Sequence, residues 1–307
     1  MIIIACPGQG SQTPGFLAEW MRLDGAQEFL TEASERSGVD LITHGTTSDA
    51  DTIRDTQIAQ PLIVAASLLA WRELSARVSL DTVGVAGHSV GEFAAAAAAG
   101  VLTEGDALHL VGVRGRAMAA AATQADTGMS AVVGGSEADV LAAIADRGLT
   151  AANRNGASQI VAAGALPALA ALAEAAPRGA RVIPLQVAGA FHTEYMSSAV
   201  AALESASAQV SPEHPGRPLW TNADGSRVTS GEQFVRSLVT QIANPVRWDL
   251  CLESFESNGI TGFIELAPAG ALSGIAKRAL KGIPNVAVKT PADLDAAIQL
   301  ITSTTAA

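Results

Sequence analysis

Cysteine is scarce: Cys6 and Cys251 are the only two, each among apolar neighbours. They read as buried thiols rather than as a disulfide or a metal pair. No apolar run approaches the ~20 residues needed to cross a bilayer. The opening Met1-Ile2-Ile3-Ile4-Ala5-Cys6 lacks a basic segment and reads as a buried strand, not a signal peptide. Lysine is almost missing from the 307 residues: Lys277, Lys281 and Lys289 are all there is. With a net charge of −11, general nucleic-acid binding is excluded, since that needs a basic surface. Aromatics are few at 4%, and abundant alanine suits helices packed closely on a sheet. Charged residues make up only 16% against 49% hydrophobic, which describes a globular chain, not a disordered one. The expectation is a cytoplasmic protein acting as a monomer, with no metal, no cofactor, no nucleic acid and no membrane.

What is present alternates between strand and helix, which predicts an α/β protein with a mostly parallel sheet. Strands are expected over 2–6 and 83–86, with helical patterns filling much of 16–37 and 57–77. Helices follow over 92–99 and from 104 to about 122. Between 129 and 185 the order becomes βαββαβ, the ferredoxin-like unit. It reads as a small subdomain, 126–187, inserted into a larger one made of 1–125 and 188–307. Helices are expected again over 194–208, 231–241, 248–257 and 271–280, with a strand over 262–265.

The most informative stretch is Gly87-His88-Ser89-Val90-Gly91-Glu92. It fits G-x-S-x-G, with an apolar β-type run before it and a helical run behind. Glycines let the backbone turn sharply, and the helix N-terminus favours developing negative charge. Ser89 is therefore a nucleophile or, on the plainer reading, part of a strand-to-helix turn. Of the five histidines, His88 sits beside Ser89 but leaves the strand end in another direction. His44 and His214 lie in polar loops, and His109 lies in a helix. His192 follows the apolar loop Val187-Ala188-Gly189-Ala190-Phe191, which suits either a neutral general base or a buried structural histidine. It comes too early for the usual Ser, acid, His order of α/β hydrolases. The loop Ala243-Asn244-Pro245 offers a backbone carbonyl as an alternative orienting group.

Arg114 shares a helical stripe with Ala107, Leu110, Val111, Ala117, Met118 and Ala121, whereas Arg116 points away. A guanidinium on a buried face needs an anion. That anion is either a structural carboxylate or a substrate carboxylate. The Gly8-Gln9-Gly10 loop follows the first strand, where open α/β sheets bind ligand groups. Its N–H groups, with that of Val90, would suit an oxyanion, although a tight turn without ligand also fits. The loop lacks the Lys-Ser/Thr ending of a phosphate loop. Lys277, Arg278 and Lys281 form a local basic patch, since no acid occurs from Gly270 to Ala292. The patch either complements a helix C-terminus or docks an acidic partner or phosphates.

Together these residues resemble the malonyl-CoA:acyl-carrier-protein transacylases of bacterial fatty-acid synthases and the acyltransferase domains of polyketide synthases. The resemblance covers nearly the whole chain. It rests on Pro7-Gly8-Gln9-Gly10-Ser11-Gln12, Gln60-Pro61, the Ser89 elbow, Arg114-Gly115, Asn153-Arg154-Asn155-Gly156, Gly189-Ala190-Phe191-His192, Asn244-Pro245-Val246-Arg247-Trp248 and Glu265-Leu266-Ala267-Pro268. It implies a hydrolase-like α/β core with a ferredoxin-like insert. It implies Ser89 as nucleophile, His192 as its base, and the N–H groups of Gln9 and Val90 as the oxyanion hole. Arg114 then binds the malonyl carboxylate with Gln60 close by, and the Asn244 carbonyl orients His192. Phe191 goes with malonyl rather than methylmalonyl. The implied reaction moves malonyl from coenzyme A to the phosphopantetheine thiol of acyl carrier protein by ping-pong kinetics, supplying extender units for fatty-acid synthesis. Carrier proteins of this kind are acidic, so the basic patch becomes a docking candidate. A serine hydrolase or thioesterase, and a non-catalytic carrier-binding module, are the competing classes; Arg114 weighs against the first, and an intact Ser89–His192–Arg114 set against the second.

Overall fold

The computed structural model describes residues 1–305. In chain order its strands are β1 (Ile2–Cys6), β2 (Val83–Gly87), β3 (Thr127–Gly134), β4 (Thr150–Gly156), β5 (Gln159–Ala165), β6 (Ala180–Pro184), β7 (Leu219–Trp220), β8 (Val246–Arg247), β9 (Gly262–Glu265) and β10 (Asn285–Ala287). They form two sheets, ordered β10-β9-β1-β2-β7 and β6-β3-β5-β4-β8.

The first sheet is parallel at every ladder. β1 runs through its middle, and its unbroken Ile-Ile-Ile-Ala-Cys sequence is what a strand covered on both faces requires. Side chains alternate across it. Ile2, Ile4 and Cys6 join a core with the helices Thr56–Ser75 and Glu104–Ala122. Ile3 and Ala5 face the opposite layer, with Trp220, Trp248, Phe255 and Leu272.

In the second sheet β6, β3, β5 and β4 pair antiparallel throughout. Val132 and Ile160 point to the helices Glu137–Ala145 and Leu166–Glu174, packing on Val140, Ile144, Leu169 and Leu172. The neighbouring positions Met129, Ala131 and Val161 point the other way, toward the first sheet's loops and into a cavity. This sheet runs past the 126–187 segment, because β8 pairs parallel with β4. The helical pattern expected over 16–37 is broken: a turn at Trp20–Arg22 precedes the helix Ala26–Ser37, with Gly25 left-handed between them.

Candidate active site

The turn after β2 is built by close approach. A Cβ on Gly87 would lie 2.2 Å from the Glu92 nitrogen, and one on Gly91 would lie 2.1 Å from the Cys6 carbonyl oxygen. Only glycine fits either position. Between them Ser89 adopts a left-handed φ of 52°. Such a conformation in a non-glycine residue is costly and is held by its surroundings. It lifts Ser89 above the first turn of the helix Gly91–Ala98, with Val90 as that helix's N-cap.

His192 meets Ser89 directly. Its own φ is 62°, so both partners sit in left-handed backbone. Ser89 Oγ lies 2.7 Å from His192 Nε2, and His192 Nδ1 lies 2.8 Å from the carbonyl oxygen of Gln241. A carbonyl only accepts, so Nδ1 carries the proton and Nε2 presents its lone pair to the serine hydroxyl. Burial, then the positive charge of Arg114, push the His192 imidazole down to about 3, so the ring is neutral around pH 7.

Asn244 was the expected orienting carbonyl, and the structure corrects this to Gln241. The 3-10 turn Gln241–Ala243 ends the preceding helix and turns its first carbonyl toward the histidine. Asn244 is the residue after that turn; its backbone also faces the His192 ring and, like that of Gln241, favours the charged imidazole, while its side chain donates to the Thr240 carbonyl.

Arg114 is buried at 1% exposure. Its Nη1 donates to Gln60 Oε1 at 2.6 Å, and its Nη2 donates to Gln241 Oε1 at 2.8 Å and to Ser89 Oγ at 3.3 Å. Its Nε has no partner. Among the described residues no carboxylate pairs with it, so the structural ion pair considered from the sequence is absent. Burial lowers its pKa to about 9, against a smaller raising effect from Glu92. A guanidinium held this way, 3.3 Å from a nucleophile, is short of an anion.

These groups share one cavity of about 410 Å³ between the two sheets. Gln9, Gln60, Ser89, Val90, Phe191 and His192 all line it. The half-buried Gln9 donates its side-chain amide to the Arg54 carbonyl at 3.2 Å, which anchors the loop after β1 beside the elbow. Phe191, the residue before His192, is buried, 6% exposed. His88 turns away from Ser89: its Nε2 meets Asn155 Oδ1 at 2.9 Å and its ring stands edge-on to Trp248. His109 and His214 are exposed, and His44 pairs with Ser48. Lys277, Arg278 and Lys281 are exposed at the end of the helix Ala271–Ala279, and Arg278 reaches the cavity mouth.

Two residues of the site escaped the sequence reading. Gln241 touches Ser89, His192 and Arg114 at once, and Glu92, 1% exposed, lies behind it. A glutamate in the first turn of a helix ordinarily reads as a solvated, dipole-complementing residue. Only its place inside the G-x-S-x-G-E run hinted otherwise.

Comparison with known proteins gives the family. The family model described as "Acyl transferase domain" matches residues 4–294. The malonyl CoA-acyl carrier protein transacylase of Mycobacterium tuberculosis is 50% identical over 297 residues, 96% of this chain and 98% of that protein. The crystal structure of MCAT from the same organism superposes with a TM-score of 0.94, covering 97% of this chain and 99% of that one. A type II PKS acyl-carrier protein in complex with its malonyl-transacylase matches at 28% identity with a TM-score of 0.90, covering 97% of this chain and 99% of that one.

Proposed function

The chain belongs to the acyl transferase domain family, and on that premise we propose that it transfers malonyl from coenzyme A to the phosphopantetheine thiol of acyl carrier protein. One observation carries the specificity: a buried guanidinium without a carboxylate partner, 3.3 Å from the nucleophilic oxygen.

The geometry supports two half-reactions. In the first, Ser89 Oγ attacks the thioester carbonyl and His192 Nε2 takes its proton. The oxyanion forms at the head of the elbow helix, where the N–H groups of Val90 and Gln9 supply donors. The carbon–sulfur bond breaks, the proton passes to the departing thiolate, and coenzyme A leaves a malonyl-serine ester. In the second, the carrier's thiol gives its proton to His192 and attacks that ester, and collapse returns the proton to Ser89. No cofactor takes part; coenzyme A is half of the substrate. Malonyl-carrier protein is the extender unit for fatty-acid synthesis.

Arg114 anchors the free carboxylate while Gln60 and Gln241 hold the guanidinium in place. Phe191 crowds the space a C2 methyl would enter, worth about 1–3 kcal/mol for one methyl group. The exposed Lys277, Arg278 and Lys281 meet an acidic carrier protein at the mouth. Among the described residues no helix is long and apolar enough to cross a membrane.

Intact mass after mixing with malonyl-CoA alone tests the reading. One malonyl adduct is expected, located on Ser89, absent from Ser89→Ala, and discharged by holo carrier protein. A chain that turns malonyl-CoA over to free malonate without accumulating the ester would be a thioesterase instead.

A further inference from the structure

Glu92 has no part in the chemistry described above, yet it is among the most deeply buried charged groups in the chain. Its Oε1 accepts from the Thr221 hydroxyl at 3.0 Å and from the Asn222 backbone N–H at 2.7 Å. Its Oε2 accepts from Gln241 Nε2 at 2.6 Å. Burial pushes the Glu92 carboxyl up to about 7, and the hydrogen bonds from Asn222, Thr221 and Gln241 pull it back down. Every one of these partners donates, so the pocket is built for an acceptor and favours the carboxylate form.

The other side of Gln241 explains what that achieves. The same Nε2 donates to the Ser89 carbonyl at 3.1 Å, and Oε1 accepts from Arg114 Nη2. The amide thus lies between two acceptors and a group that can only donate. Turning it over would set its NH2 against the guanidinium and its oxygen against both Glu92 and the Ser89 carbonyl. The anion behind the amide and the cation before it select one sense.

We infer that Glu92 is a positioning residue: its carboxylate locks the sense of the Gln241 amide, and the amide oxygen in turn holds Arg114 beside Ser89. This rests on the malonyl-transfer reading. Glu92 never touches substrate; it acts through Gln241 on the guanidinium that does. Its charge also faces Arg114 across the amide and favours the guanidinium's charged form.

Glu92→Gln is the informative change, because it keeps size and shape. The Asn222 N–H demands an oxygen at the Oε1 position, which leaves an NH2 facing the NH2 of Gln241. Relief requires Gln241 to turn over, and that presents a donor to Arg114. The measurement is kcat/KM for malonyl-CoA and acetyl-CoA on the full chain. The malonyl-to-acetyl ratio is expected to fall about tenfold in E92Q, the scale of one lost charge-assisted hydrogen bond. In a background of Arg114→Ala the same change should leave the ratio within about twofold, since the guanidinium it acts through is gone. A purely structural role would lower the unfolding midpoint and leave the ratio alone; an unchanged ratio in folded E92Q overturns the inference. Should E92Q not fold, Glu92→Asp keeps the charge but draws it back from Gln241. The ratio must fall there too, and an unchanged ratio overturns the inference equally. If the wild-type chain forms no malonyl ester on Ser89, the malonyl reading itself falls, and this inference with it.

Discussion

Arg114 and His192 divide recognition from chemistry, and each makes a separate expectation. Removing the guanidinium by Arg114→Ala takes away the anion's partner but leaves the Ser89–His192 contact. Malonyl transfer should then drop about a hundredfold in kcat/KM while acetyl transfer changes little, the range for truncating one member of a buried charge pair. Steady-state rates with the two thioesters check it. His192 makes the pH expectation. Burial and Arg114 lower its folded pKa from the usual 6.5 to about 3, so the folded state resists taking a proton that the unfolded chain accepts. Its contribution to stability is therefore complete above pH 6.5 and is lost as pH falls from there toward 3. The base likewise stays neutral across that window. Single-turnover acylation of Ser89 by acetyl-CoA, which does not need the guanidinium, should show no inflection near pH 6.5. An inflection there would mean a solvated, ordinary imidazole. Both residues were legible beforehand, Arg114 from its helical stripe and His192 from its apolar loop. Gln241 was not. It works through a backbone carbonyl and an amide at the end of a helix, and neither leaves a periodic or compositional trace. Asn244, beside a proline, offered the more visible carbonyl, but the 3-10 turn brings Gln241's to the ring instead.

Among the elements, the strand–turn–helix at 83–98 carries the most constraint. Its two glycines are fixed by backbone neighbours, which cannot swing aside as a side chain would. Gly91→Ala drives a methyl against the Cys6 carbonyl of β1, 2.1 Å from the Cβ position. The cost should be about 3 kcal/mol or more, because the central strand must shift to relieve it. Denaturant unfolding monitored by circular dichroism would show it, and a loss under 1 kcal/mol, roughly a surface-substitution effect, would contradict the packing described. The long elements were visible in the sequence because burial on one or both faces writes a period into it. β1 is an unbroken apolar run, and the helices 231–240 and 248–257 carry clear stripes. The two-residue strands β7 and β8 were not visible. Elements that short have no period, and they exist only because β2 and β4 offer them an edge to pair with.

Across the whole molecule, the two sheets face each other over one cleft, and charge is spread unevenly around it. The chain carries −11 overall, yet the helix Ala271–Ala279 brings only cations to the rim. On the docking proposal, those cations are where an acidic carrier is attracted. Such an arrangement acts on encounter and register more than on the chemical step. Arg278 also lines the cavity, so changing it would disturb coenzyme A and carrier alike. Lys277 and Lys281 do not line it, and they make the cleaner test. Reversing both to glutamate should raise the apparent KM for carrier protein by about tenfold at low salt and spare that for malonyl-CoA. The difference should shrink as ionic strength rises and the Debye length falls to about 8 Å at 0.15 M. If the carrier's KM holds, the patch only completes a helix terminus.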